Sequence, residues 1–254
     1  MIEVRALVKE LGGERILDGV SFEASAGRVT GLLGPNGAGK TTTMRVLATL
    51  LAPDAGQVRI DGLDVVGDAV EVRRHIGLVT EEPGLYDRLT VREQLTMVAE
   101  VHGLSMQVAD QRIEELAGAL RLTAELDRRA GVLSKGNRQK ASLCRALVHD
   151  PSVLLLDEPT SGLDVVAAAG LEAVLASGEL TGDRTVLLST HRIDEVERLA
   201  DRVVGLAGGR TVIDATLDDL VERSGTASVR DTLIRVLGEA QLEAHPGSGT
   251  GVEQ

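Results

Sequence analysis

Residues 28–47 constrain the fold more than any other part of the chain. The apolar run RVTGLLG ends in glycine, GPNGAGKT follows, and apolar residues at helical spacing begin at Lys40. The run reads as a buried strand and the glycines as a tight loop; Lys40 to Leu51 reads as a helix. A strand feeding a helix in this way belongs in a parallel sheet covered by helices. The loop fits the phosphate-binding pattern G-x-x-x-x-G-K-[ST]. Across Gly34, Pro35, Asn36, Gly37, Ala38 and Gly39, backbone N–H groups can converge on phosphate oxygens, and the helix start adds its positive end. Lys40 is placed to reach the β- and γ-phosphates. The Thr41 hydroxyl suits Mg²⁺, and Thr42 follows it on the helix.

The rest of the chain repeats the alternation. QVRIDG, HIGLVT, PSVLLLDEP and DRTVLLSTH read as strands, and DVVAAAGLEAVLASGE and RIDEVERLADR as helices. Residues 2–33 read as short strands with turns at LGGE and SAGR, and residues 202–213 as a late hairpin followed by two short helices. Between Leu85 and Val148 strands are absent and the spacing is helical. The expected architecture is an α/β phosphate-loop NTPase with a mainly parallel central sheet, an N-terminal antiparallel β part and a helical insert. One domain spans 1–237, with a core of 1–84 and 149–237 and an insert of 85–148. Residues 238–254 are expected to form a disordered tail.

Hydrolysis needs more than a cradle. VLLLDEP places Asp157 and Glu158 at the end of an apolar strand, where Asp157 can hold Mg²⁺ and Glu158 can orient or deprotonate a water. In LSKGNRQK, Ser134 and Gly136 open a second helix whose N-terminus can face an anion or serve as a plain serine cap.

With these pieces in order, nearly the whole chain, Ile2 to Leu220, resembles the ATPase subunit of ABC (ATP-binding cassette) transporters. GPNGAGKTT resembles its Walker A loop, VLLLDEP the Walker B strand and LSKGNRQK the signature. SGLD (Ser161 to Asp164) resembles the D-loop and STH (Ser189 to His191) the switch histidine. The resemblance implies ATP and Mg²⁺ as cofactors and head-to-tail pairing with a second copy. Ser134 and Gly136 would then meet the γ-phosphate across the interface, Lys135 between them would either add attraction to phosphate or point to solvent, and Asp164 would couple the two sites. His191 would contact the γ-phosphate and hold water and Glu158 in place. LATLLAPDAGQVRIDG, GLYDRLTVRE and SGLDV are similar to type 2 exporter cassettes, NatA-like sodium-export subunits among them, and drug-efflux cassettes share much of that texture.

Three positions depart from the family pattern. Leu11, in LVKELGG, stands where an aromatic residue stacks on adenine, so discrimination between ATP and GTP should be reduced. In GLVTEEPGLYDRLT the family's Mg²⁺-contacting glutamine falls at Glu81 or its neighbour Glu82; a carboxylate there either joins the metal site or faces solvent. Lys135 and Asn137 replace the usual glycine and glutamine of the signature.

Composition narrows the partners. The chain has 254 residues and a formal net charge of −12, the wrong sign for non-specific nucleic-acid or anionic-lipid binding. No apolar run approaches the roughly 20 residues that cross a bilayer. One cysteine, Cys144, excludes an internal disulfide. The expectation is therefore a cytoplasmic ATPase, peripheral on the inner face of the cell membrane through a separate permease, with no nucleic acid and no membrane insertion of its own. A soluble cassette acting on nucleic acid or ribosomes and a cassette that binds ATP without turnover are the competing classes. The acidic balance opposes the first; Glu158 and His191 oppose the second.

Overall fold

The computed structural model describes residues 1–224 and 228–244. Two sheets form its frame. The first is antiparallel, in the order β2-β1-β4-β5, from β1 (Ile2–Leu11), β2 (Glu14–Ala24), β4 (Ala55–Ile60) and β5 (Leu63–Asp64). The second has the order β10-β9-β3-β8-β7-β6. It contains β3 (Val29–Leu33), β6 (Ile76–Val79), β7 (Val153–Asp157), β8 (Thr185–Thr190), β9 (Arg202–Ala207) and β10 (Arg210–Thr216). All pairings in it are parallel except the β9–β10 hairpin. β7 and β8 are buried on both faces, as their unbroken apolar runs require.

Period-2 alternation sorts the central strands between two cores. Leu32, Leu155, Leu187 and Val204 face the antiparallel sheet and helix α1 (Lys40–Leu47). Leu154, Leu156, Val186 and Leu188 face the insert and helix α6 (Val165–Ala176). The sheets are stitched where the Asp18 N–H donates to Gly209 O at 2.8 Å and the Thr211 hydroxyl donates to Ser21 O at 3.0 Å.

The insert contains α3 (Val91–Val101), α4 (Met106–Ala119) and α5 (Lys135–Leu147). Each start is capped as its sequence dictates. Thr90 and Glu93 form a reciprocal capping box, and the Ser105 and Ser134 hydroxyls accept the Val108 and Asn137 N–H groups. The loop from β6 into α3 is tied down at Tyr86, whose N–H donates to Gln94 Oε1 at 2.8 Å while its ring stays exposed.

Several boundaries differ from the sequence expectation. Helix α1 ends at Leu47 rather than residue 51, because Thr49 turns left-handed at φ 59°. Helix α2 (Ala69–His75) was not expected; only Val72 of it is buried, so no apolar stripe marks it. Beyond β10 lie α8 (Leu217–Ser224) and α9 (Val229–Ala244), with α7 (Ile193–Leu199) before β9. The expected disordered tail from 238 overlaps α9, which continues because Val229, Leu233, Val236 and Leu237 pack against the core around Leu33 and Val203. Residues 245–254 of that tail lie outside the described residues.

Where the insert meets the core, His102 stacks on His149 with ring centroids 3.8 Å apart. His149 Nε2 must donate to Ile76 O at 3.0 Å, and its Nδ1 is buried without a partner. Burial, first, and the His102 ring, second, push the His149 pKa down to about 4, against partial offsets from the hydrogen bond to Ile76 O and from Asp150. The unfolded chain thus binds a proton near pH 6.5 that the fold refuses until about pH 4. Stability contributed by this site is full above pH 6.5 and is lost as pH falls toward 4, by about 2 kcal/mol once solvent screening is allowed for. Denaturant titrations across that window should show the loss, and His149→Gln should flatten it.

Candidate active site

The phosphate loop leaves the end of β3 and enters α1 between the two sheets. Two of its glycines, Gly34 and Gly39, are required by close approach. A Cβ on Gly34 would lie 2.4 Å from Leu206 O, and one on Gly39 (φ +100°) would lie 2.4 Å from Leu17 Cδ2. Gly39 is also the N-cap of α1, so the first N–H groups of that helix have no intrahelical partner. Lys40 is 5% exposed, and its Nζ donates to Gly34 O at 2.8 Å and Pro35 O at 3.1 Å. Held this way, the ammonium lies 3.5 Å from Glu158 Oε1.

The ends of β7 and β8 bring the remaining groups beside it. Asp157 Oδ1 accepts the Ser189 hydroxyl at 2.5 Å and the Thr41 hydroxyl at 3.4 Å. Burial pushes the Asp157 carboxyl above its usual range; the two hydroxyls oppose the shift, and the charges of Glu158 and Glu81 add to it. Glu158 has φ +48°, rare for a residue with a side chain. Its N–H is held by Ser189 O at 3.1 Å, and its Oε2 lies 3.0 Å from His191 Nδ1. Against an ionised Glu158 that contact needs the proton on Nδ1, which leaves Nε2 as the acceptor of the neutral ring.

Lys40, Thr41, Glu158 and His191 line one cavity of about 490 Å³, and Asp157 lines the adjoining space with Thr41, Glu81 and Glu82. The cavity walls include Leu11, Asn36, Gly37, Gly39, Lys40, Thr41, Thr42, Glu81, Glu158 and His191, all expected from sequence. Gly34 and Pro35 contribute through their carbonyls to Lys40. Ala38 is buried beneath the loop. Glu81, not Glu82, takes part in the cavity, and its Oε1 accepts the Ser161 hydroxyl at 2.9 Å. Leu11 is 37% exposed at the rim beside Ile16.

Ser134, Lys135, Gly136 and Asp164 are not among the residues that line it. Ser134 caps α5, and Lys135 lies over Gly162. A Cβ on Gly136 would meet Ala167 Cβ at 3.0 Å, so α5 packs tightly on the start of α6. Asp164 caps α6, with Oδ1 accepting the N–H groups of Val166 and Ala167.

The sequence reading missed several groups. Ser189 stood in the quoted STH without a role. Ser161 stood in the quoted SGLD without a role of its own, and Ile16 gave no local signal. Arg145, on α5, donates to Gly84 O at 2.8 Å and Pro83 O at 2.9 Å, fixing the loop that carries Glu81. That link joins positions more than 60 residues apart, which periodicity cannot reveal.

The donor set at Thr41 and Asp157 is hard oxygen, which suits Mg²⁺, and the glycine cradle suits a polyphosphate. Comparison with known proteins agrees with the second point. The ABC transporter family model matches residues 17–161. The ABC transporter ATP-binding protein NatA of Bacillus subtilis (strain 168) is 39% identical over 204 residues, covering 80% of this chain and 82% of NatA. The daunorubicin resistance ATP-binding protein DrrA3 of Streptomyces coeruleorubidus is 37% identical over 99% of this chain and 80% of its own. Among solved structures, an ATP-binding subunit of an ABC transporter superposes with a TM-score of 0.84 at 31% identity, covering 93% of this chain and 99% of that one. A dimeric bacterial ABC transporter cassette, MJ0796, superposes with a TM-score of 0.76 at 26% identity, covering 85% of this chain and 98% of that one. The chain therefore belongs to the ABC transporter family as an ATP-binding cassette with ATPase chemistry.

Proposed function

We propose that this chain is the Mg²⁺-ATP-hydrolysing subunit of an exporter, driving a separate transmembrane permease from the cytoplasmic face of the membrane. The observation that carries the reading is the convergence of Lys40, Thr41, Glu158 and His191 on one cavity, with Asp157 behind it bonded to Thr41, while Ser134 to Gly136 stay outside it. A second copy docked head to tail would supply that missing wall, and the dimeric MJ0796 cassette supports such pairing for this chain. No helix among the described residues is long and apolar enough to cross a membrane, in keeping with a partner that does.

In this reading ATP lies along the phosphate loop, with Lys40 on the β- and γ-phosphates and Leu11 against the base. Thr41 and Asp157 would hold Mg²⁺, with Glu81 nearby; the ion supplies charge neutralisation on the β- and γ-oxygens. Glu158 takes a proton from the attacking water as the water oxygen bonds to the γ-phosphorus. The bond from the γ-phosphorus to the bridging oxygen breaks, and ADP leaves with that oxygen. His191, paired with Glu158 through Nδ1–H, holds the carboxylate in place; a hydrogen bond from Nε2 to a γ-phosphate oxygen requires a proton on that nitrogen too.

The cargo is read from relatives. Sodium ions follow from the resemblance to NatA-like cassettes; efflux of a drug is the second reading, favoured by similarity to DrrA3 along 99% of the chain. The test is to express tagged Glu158→Gln in its native cell, extract membranes gently in Mg²⁺-ATP and identify what co-purifies. A polytopic membrane protein is the expected result. Ribosomes or DNA-repair factors without a membrane protein would overturn the transport reading.

A further inference from the structure

Glu195 is 1% exposed on α7, four positions after His191. Its Oε1 accepts the Thr160 hydroxyl at 2.8 Å, and its Oε2 is buried with no hydrogen-bond partner. Thr160 is 6% exposed and stands two positions after Glu158. A buried carboxylate with an unused oxygen is a costly way to hold one threonine, since an apolar pair of similar shape would fill the space without it. Such a cost at this position calls for a role beyond packing.

Thr160 lies in the loop that carries Glu158, and Glu195 lies on α7, which begins two residues after His191, so the pair acts beside both Glu158 and His191. Their 3.0 Å contact depends on how the loop after β7 sits against α7. Glu158 must also be kept at φ +48°, a conformation that persists only where the surroundings hold it. Backbone bonds fix the two sides of that turn: Glu158 N–H to Ser189 O at 3.1 Å and Ser161 N–H to Glu158 O at 3.0 Å. Thr160 supplies the side-chain bond from inside the turn to α7. Its neighbour Ser161 points the other way, to Glu81 at the cavity. The loop is thus held by a buried carboxylate on one side and an exposed one on the other.

We propose that Thr160 and Glu195 form a positioning pair that sets the Glu158 carboxylate against His191 for ATP hydrolysis. The inference rests on the reading of Glu158 as the base. Thr160→Val removes the hydroxyl at constant shape, and Thr160→Ser keeps it. The double variant T160V/E195L removes both partners and leaves no buried carboxylate unpaired, so the test stays readable if the unpaired Glu195 destabilises T160V. Each is assayed for ATP turnover, for equilibrium binding of a fluorescent ATP analogue and for melting temperature.

The expected result is a kcat lowered by about tenfold or more in T160V and in the double variant, with analogue affinity within about threefold of the parent. T160S should stay within about twofold. A packing role would let the double variant recover kcat along with stability. A double variant that melts and turns over like the parent therefore overturns the proposal, and so does a T160S as slow as the double variant. Glu158→Gln in the same assay separates the two failures. If it turns over normally, the base reading falls. If it is inactive while the double variant is not, only the pair falls.

Discussion

Replacing Glu158 by glutamine should lower ATP turnover by about 10²- to 10⁴-fold, the range for loss of a general base. ATP should still bind, with affinity changed by less than about threefold. The substitution keeps the shape of the side chain and one carbonyl oxygen for His191 Nδ1, now 3.0 Å from Oε2. It removes the charge that would accept the water's proton and that faces Lys40 Nζ at 3.5 Å. Steady-state hydrolysis with parallel equilibrium binding reads both quantities. His191→Ala should share much of the same loss, because the two side chains act through one contact. The combined variant should then fall well short of the product of the single effects. Full multiplicativity would mean that the pair does not work as a unit.

The largest effect on stability is expected at Gly77. It is buried in β6, and a Cβ there would lie 2.2 Å from Ala146 O and 3.0 Å from Pro151 Cγ. Neither neighbour is the free end of a flexible side chain: one is the backbone of α5 and the other a proline two residues before β7. Gly77→Ala should therefore push α5 off the sheet, at about 3 kcal/mol for overpacking against backbone. For a chain of this size that is a fall of roughly 6–12 °C in melting temperature. Gly118→Ala is the matched control. Gly118 lies in α4 with nothing within 4 Å of the added carbon. There the change should raise stability by about 0.5–1 kcal/mol through helix propensity. Opposite signs from one chemical change would localise the cost to the α5–β6 contact. Since α5 also carries Arg145 and the Ser134 cap, G77A should impair turnover as well.

What could be read from sequence was what repeats locally. The phosphate loop declares itself because glycine spacing, Lys40 and the start of a helix are consecutive. Asp157 and Glu158 declare themselves because an apolar strand stops abruptly at two acids. Leu11 and Glu81 could be placed only by resemblance, yet both line the cavity. Illegible were contacts that join distant segments. Ser189 meets Asp157 across two parallel strands, Thr160 meets Glu195 from a loop to a helix, and Arg145 reaches back to Pro83. None has a period or a spacing of its own. Helix α2 was missed because a single buried valine cannot make a stripe, and the end of α1 because a threonine took a left-handed turn that sequence assigns to glycine or asparagine.

The exposed ring of Tyr86 has an optical consequence. The chain contains one tyrosine and no tryptophan, so its near-ultraviolet emission comes from a single place. That place is the segment between β6 and α3, five residues beyond Glu81, anchored by its backbone to Gln94 but free at the ring. The unlabelled protein is thus a one-site reporter of the loop that joins the cavity around Lys40 to the insert. A stopped-flow trace of tyrosine emission after mixing with ATP would time that loop directly, without a dye.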